Sequence, residues 1–312
     1  MIKEIVSASL PVDEKLIIRK NSVCHGSGKK RVCIVTGTHG DELEGQYVCF
    51  RLNQILREQP DMLEGEVDIY PALNPLGIDT IQRGIPNFDT DMNRTFPGNS
   101  EGSMYEQASH AICEDLKVAD MVIDIHSSNI FLREMPQVRI NILNADTLVP
   151  QAEKLGVDFI WVHDSATVLE STLAYSLNST GTPCLVVEMG VGMRINHHMG
   201  ERLTTGILNL LSHMGMWKGK LPDTPMPKPV KSCGDTAKFI NAGQSGVFIT
   251  DVKTGIVVDP GEEIGLVTDP LTGDILQTVT SPVHGLLFTL RAYPVVYEGS
   301  LLARIHELGS EE

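Results

Sequence analysis

The chain has 312 residues, 42% of them hydrophobic, which is ample for a buried core and for more than one domain. Its net charge of -15 argues against nucleic acid or an anionic membrane as a partner. No apolar run approaches the roughly 18 residues that cross a bilayer, and the first residues, Met1-Ile2-Lys3-Glu4, carry no signal-peptide core. The six cysteines (Cys24, Cys33, Cys49, Cys113, Cys184, Cys233) include no C-x-x-C pair, and several fall inside apolar runs. They are expected to be buried, reduced thiols in a cytoplasmic protein.

Up to about residue 216, the pattern alternates strands and helices. Strands are predicted over 32–36, 67–70, 121–125, 159–162 and 184–188, and helices over 43–58, 104–117, 147–155, 171–179 and 197–214. Gly181 and Pro183 follow the 171–179 segment, which is good helix-stop chemistry. The expected fold is α/β: a mixed, largely parallel sheet with helices on both faces. The near-continuous apolar runs at 121–125 and 184–187 fit strands buried on both sides. Residues 218–231 carry Pro222, Pro225, Pro227 and Pro229 and read as a linker between a catalytic domain (1–217) and a C-terminal unit (232–312). That unit reads as β only, with short runs at 246–250, 255–258, 265–267, 275–279, 285–290 and 301–305 spaced by Gly, Pro and Asp turns. A small barrel or sandwich is expected.

The most informative stretch is Thr36-Gly37-Thr38-His39-Gly40-Asp41-Glu42, where a β-branched run turns into a helical pattern. A His and a Glu three residues apart at such a turn can offer two metal ligands. Asp124-Ile125-His126, at the end of another strand-like run, offers a third. Two His and one carboxylate leave the fourth position of a tetrahedral zinc ion open, the mark of a catalytic rather than a structural site. Val187-Glu188-Met189-Gly190 places a carboxylate at the end of a buried strand. Glu188, if it is not itself a ligand, can serve as a general base. A polar loop, Asp89-Thr90-Asp91-Met92-Asn93-Arg94, presents Arg94 as a planar fork for a substrate carboxylate, with Asn93 beside it. Arg83 is a second candidate, for a carboxylate or for an oxyanion. In an open α/β sheet, such groups collect at the carboxyl ends of strands.

These motifs, His39-Gly-Asp-Glu42, Asn74-Pro75-Leu76-Gly77, Asp91-Met-Asn93-Arg94, Asp124-Ile-His126 and Glu188-Met-Gly190, stand in the order seen in the succinylglutamate desuccinylase/aspartoacylase family of the zinc carboxypeptidase-like superfamily. The chain resembles that family over essentially its whole length. The resemblance implies one Zn2+ per chain held by His39, Glu42 and His126, and Glu188 as general base. It also implies that Asn93 and Arg94 hold a substrate carboxylate while Arg83 assists at the scissile carbonyl. The partner it implies is a small N-acyl substrate whose amide is hydrolysed, in a protein that forms a homodimer or larger assembly. The run from Val257-Val258-Asp259-Pro260-Gly261 to Ser281-Pro282-Val283-His284-Gly285 looks like the family's second, barrel-like domain, related in shape to biotinyl and lipoyl modules. Some members use an active-site Tyr; Tyr175, Tyr293 and Tyr297 are available, and no motif selects among them. A peptidase with the same metal and base, and a zinc- and carboxylate-binding protein without turnover, are the alternative readings.

Other features are read as ordinary. Asn74-Pro75-Leu76-Gly77 is a turn at the pocket wall. His197 and His198 point about 100° apart on a helix and cannot readily share an ion. His110 and His163 are not expected to be ligands. Gly26-Ser27-Gly28-Lys29-Lys30 lacks the first Gly and the Ser/Thr of a phosphate loop and precedes a strand. The C-terminal turn Asp269-Pro270-Leu271-Thr272-Gly273 has no lysine for biotin or lipoate. The segment 127–138 is read as a loop in which Phe131, Arg133 and Met135 help to set specificity.

Overall fold

A computed structural model describes residues 1–86, 88, 90–163, 170–234 and 236–309, the side chain of residue 233 excepted. The first half runs β1 (Ile2–Ser9), β2 (Lys15–His25), β3 (Arg31–Thr36), α1 (Glu44–Glu58), β4 (Gly65–Tyr70), α2 (Pro75–Thr80) and α3 (Met104–Leu116). It continues with β5 (Met121–Ser127), β6 (Leu132–Asn141), α4 (Ala145–Ala152), β7 (Phe159–His163), α5 (Leu173–Ser179), β8 (Cys184–Gly190) and α6 (His197–His213). The rest is β9 (Val230–Cys233), β10 (Ala237–Asn241), β11 (Gly246–Ile249), β12 (Val257–Val258), β13 (Glu263–Thr268), β14 (Ile275–Thr280), β15 (Gly285–Arg291), β16 (Val295–Val296) and β17 (Leu301–Glu307).

The described strands form a 13-stranded mixed sheet with the main order β1-β2-β4-β3-β5-β8-β6-β15-β17-β10, plus a separate antiparallel sheet β14-β13-β11-β16. At the centre β4, β3, β5 and β8 are parallel, and β6 joins antiparallel to β8. Both faces are covered, which is why β3 is apolar from Val32 to Val35. Val32 and Ile34 pack with Val48, Leu52 and Leu56 of α1 and Leu203 and Ile207 of α6. Cys33 and Val35, pointing the other way, pack with Ile112 and Leu116 of α3 and Leu173 and Leu177 of α5. The α1 residues Val48, Leu52 and Ile55 recur at helical spacing, so burial of one stripe rather than intrinsic propensity holds the helix.

Several sequence expectations change. The 127–138 segment is mostly strand, because β6 takes up 132–141. Its Pro136 falls where the β6–β8 register shifts between Glu134 and Gln137, a bulge that tolerates a residue without an N–H. The 74–77 turn is the start of α2, with the Asn74 side chain accepting the Gly77 N–H. Cys24 is exposed, whereas Cys33, Cys49, Cys113 and Cys184 are buried as expected. The β1–β2 hairpin precedes the first predicted strand. Strands of the C-terminal half join the large sheet: β15 pairs with β6, and β9 pairs with β7. Among the described residues, no helix is long and apolar enough to cross a membrane.

One close contact positions the loop after β3. The Gly40 N–H donates to the Gln82 carbonyl at 3.1 Å, drawing residues 37–42 onto the segment that follows α2. A Cβ at Gly40 would lie 1.9 Å from the Gly77 carbonyl carbon, with backbone on both sides of the clash. Gly40→Ala is therefore expected to cost about 3 kcal/mol, the upper end of overpacking, and to lower Tm by roughly 6–12 °C. Thermal unfolding checks this, and an unchanged Tm would show that the two loops part freely.

Candidate active site

The parallel strands β3, β5 and β8 deliver their carboxyl ends to one cavity of about 600 Å³. His39 and Glu42 come from the turn after β3, His126 from the end of β5, and Glu188 from the neighbouring position on β8, where it is in register with His126. All four line the cavity, together with Arg83, Asn93 and Arg94. The sequence-predicted residues thus meet in one place.

The Glu42 carboxylate is at the centre. Its Oε1 lies 2.7 Å from His39 Nδ1, and its Oε2 lies 2.9 Å from His126 Nδ1. The three side chains are buried, and their ligand atoms lie within 4.8 Å of one another. Each imidazole is backed on its other nitrogen by a carboxylate: His39 Nε2 faces Asp91 Oδ1 at 3.0 Å, and His126 Nε2 faces Asp124 Oδ2 at 3.1 Å. This is the outer arrangement that fixes the tautomer of a metal-binding histidine and raises its basicity. With Nε2–H committed to a carboxylate, loss of the Nδ1 proton would leave both Nδ1 atoms free to bind an ion at the common centre. The donor set, two imidazoles and a carboxylate, fits zinc with a position left open. Outside this cluster, no further group of His, Cys, Asp and Glu suited to a metal is found among the described residues. His197 and His198 stand exposed at the start of α6, with His197 stacked on Tyr47.

Electrostatics follow from this packing. Burial alone would raise the Glu42 carboxyl, but His39 and His126 override it and hold it far below the usual carboxylate range. Burial would lower the His126 imidazole, yet Asp124 and Glu42 hold it well above its ordinary value; His39 is raised in the same way by Glu42 and Asp91. Glu188 differs. Burial raises its carboxyl, and Arg139, whose Nη1 lies 3.2 Å from Glu188 Oε1, works against that rise together with His126. A carboxyl raised by burial and partly compensated by a cation suits a group that takes up and releases a proton.

Asp91 ties the loop that carries Asn93 and Arg94 to the His39–Glu42 cluster. Its Oδ1 accepts the Asn93 backbone N–H at 2.8 Å, and its Oδ2 accepts from Arg83 at 3.2 Å. Arg83 also donates to Glu42 Oε1 at 3.0 Å, so its fork spans the two acids. Asn93 Oδ1 accepts the Leu173 N–H at 2.9 Å, which anchors the start of α5, and Asn93 lines the cavity. Arg94 is exposed, donates to the Asn93 carbonyl, and forms no ion pair among the described residues. Of the three tyrosines considered, Tyr175 lines the cavity. Asp89 lies outside the described residues.

Sequence reasoning did not assign roles to Asp91, Arg139, Glu134 or Arg304. Asp124 was readable, because residues two apart on a strand share a face. Asp91 sat inside a quoted motif, but nothing in spacing alone aims it at His39.

Two outcomes are expected from this geometry. Asp124→Asn should weaken metal binding about 10–100-fold in a chelator competition; unchanged affinity would show that the carboxylate behind His126 has no such role. Metal binding should also release protons, because the raised imidazoles hold protons that the ion must displace, so affinity should fall as pH is lowered. Calorimetric titration in two buffers of different ionisation enthalpy measures this, and buffer-independent heats would contradict it.

A family model described as the succinylglutamate desuccinylase/aspartoacylase catalytic domain matches residues 28–214. A curated relative, N-alpha-acetyl-L-2,4-diaminobutyric acid deacetylase of Halomonas elongata, is 24% identical over 278 residues, covering 87% of this chain and 80% of that protein. A succinylglutamate desuccinylase/aspartoacylase structure from Rhodobacter sphaeroides superposes with TM-score 0.82 at 24% identity, over 100% of this chain and 96% of that one. The product-bound ectoine utilization protein EutE (DoeB) from Ruegeria pomeroyi superposes with TM-score 0.82 at 20% identity, over 98% and 95%.

Proposed function

We propose, from the premise that this chain belongs to the succinylglutamate desuccinylase/aspartoacylase family of deacylases, that it is a zinc-dependent amidohydrolase of N-acyl amino acids or closely related small metabolites. The observation that carries this reading is the pair of carboxylate-backed imidazoles facing Glu42, with Glu188 beside them in the same cavity. The curated relative is named for removal of an acetyl group from an amino-acid nitrogen, which agrees in kind.

Zinc held by His39, Glu42 and His126 would acidify a bound water and polarise the scissile carbonyl. The remaining steps fall to the chain's own side chains. Glu188 accepts a proton from the attacking water and delivers it to the departing amine nitrogen. Arg139 opposes the rise that burial imposes on the Glu188 carboxyl and holds one of its oxygens. Arg94, exposed and without an acidic partner among the described residues, holds the substrate carboxylate with the help of the Asn93 amide. Arg83, beside Glu42, is placed to stabilise charge that develops on the amide oxygen. Residues 1–217 carry this chemistry, 218–231 form the linker, and 232–312 form a C-terminal β unit.

Amine release from a library of N-acyl amino acids tests the reading. Activity is expected on one acyl class, and Glu188→Gln should lower kcat about 10²–10⁴-fold while metal content stays the same. Silence across the library with a full metal complement, or full activity in Glu188→Gln, would overturn it.

A further inference from the structure

Strand β8 carries Glu188 between two neighbours. On the β5 side it is in register with His126; on the β6 side it is in register with Gln137. From that second side a line of charged and polar side chains runs along the cavity wall into the C-terminal strands, with Arg139, Glu134 and Arg304 all lining the cavity. Arg139 Nη1 lies 3.2 Å from Glu188 Oε1, and Arg139 Nη2 lies 3.1 Å from Glu134 Oε1. Arg304 of β17 donates from Nη1 to the same Glu134 oxygen at 3.0 Å. Gln137 Nε2 donates to Glu134 Oε2 at 2.8 Å, and the Thr289 hydroxyl of β15 donates to that oxygen as well. Register explains the alignment, because Thr289 stands opposite Glu134 on β6 and opposite Arg304 on β17. Glu134 is only 1% exposed, yet two guanidiniums, an amide and a hydroxyl surround it.

Such a line is not needed for stability. Buried ion pairs commonly contribute little more than apolar replacements of similar volume, whereas leaving one partner behind is costly. Its composition instead sets a balance. Two carboxylates alternate with two guanidiniums, and Arg139 is shared between Glu134 and Glu188. Were Arg304 absent, Glu134 would draw Arg139 more fully to itself and away from Glu188. We propose that Arg304, supplied by a C-terminal strand, is a positioning residue: by satisfying Glu134, it leaves Arg139 free to hold the Glu188 carboxylate toward the cavity. The inference rests on Glu188 being the group that moves the proton. It also gives the C-terminal strands a share in the reaction chemistry, exerted through Glu134 and Arg139 on Glu188.

The test is steady-state kinetics of the full chain with its metal, on an N-acyl amino acid that it cleaves. Arg304→Met is expected to lower kcat about 10–100-fold, with KM changed less than about twofold and metal content unchanged. Arg304→Lys should restore most of kcat, because it returns the charge to Glu134. Placed in a Glu188→Gln background, Arg304→Met should cost nothing further on the residual rate, since both act through one carboxylate. If Arg304→Met fails to fold, Thr289→Val carries the test and should lower kcat in the same direction. A raised KM with kcat preserved would make Arg304 a substrate contact and overturn the proposal. Unchanged kinetics, or an equal loss in both backgrounds, would overturn it too. Full activity in Glu188→Gln alone would remove the base assignment beneath it, a failure visible before Arg304 is varied.

Discussion

Everything around the cavity depends on a buried carboxylate shared by two imidazoles. Glu42 is 4% exposed and faces His39 Nδ1 with one oxygen and His126 Nδ1 with the other. A carboxylate and two imidazoles withdrawn from water in this way are costly unless each polar atom has a partner. The surrounding structure supplies those partners. Asp91 and Asp124 take the outer nitrogens of the two rings, and the Ser127 N–H donates to Glu42 Oε2 at 3.2 Å. A cluster so provided for could hold a cation at its centre, and the rest of the fold holds its contributing segments together.

The sheet does this by topology. Parallel strands bring their carboxyl ends to one edge, and β3, β5 and β8 lie side by side at its centre. The ligands thus come from adjacent strands although they are 87 positions apart in sequence from His39 to His126. The loop after β3 is pressed onto α2 through Gly40 and Gly77, while Asp91 links that loop to the Arg94 turn. Asp91 thus couples the position of His39 to that of Asn93 and Arg94. Farther along the sheet, β6 lies between β8 and β15 and places Glu134 and Arg139 between Glu188 and Arg304.

Much of this was legible in the residues, for identifiable reasons. The central strands announce themselves because burial on both faces demands unbroken apolar runs, as at 121–125. His39, Glu42, His126 and Glu188 are legible because each directly follows or ends such a run, where an α/β sheet gathers its ligands. Strand β6 was hidden. Its sequence, Leu132-Arg-Glu-Met-Pro-Gln-Val-Arg-Ile-Asn141, carries three charges and a proline, which look like a loop until Glu134 is seen to pair with Arg139, Arg133 to be exposed and the proline to occupy a bulge. The partners of Glu188 were hidden with it. Arg304 was invisible for a different reason: 116 positions separate it from Glu188, and only the pairing of β15 with β6 brings the two near. Strand pairing between distant segments leaves no local mark on a sequence.

The most direct test of the central claim is X-ray absorption at the zinc edge on the purified protein, with metal content determined. One zinc per chain is expected, with two imidazole nitrogens at about 2.0–2.1 Å, oxygen donors completing the sphere, and the signal lost in His126→Ala. A sulfur scatterer near about 2.3 Å, or a fully active protein without metal, would contradict it.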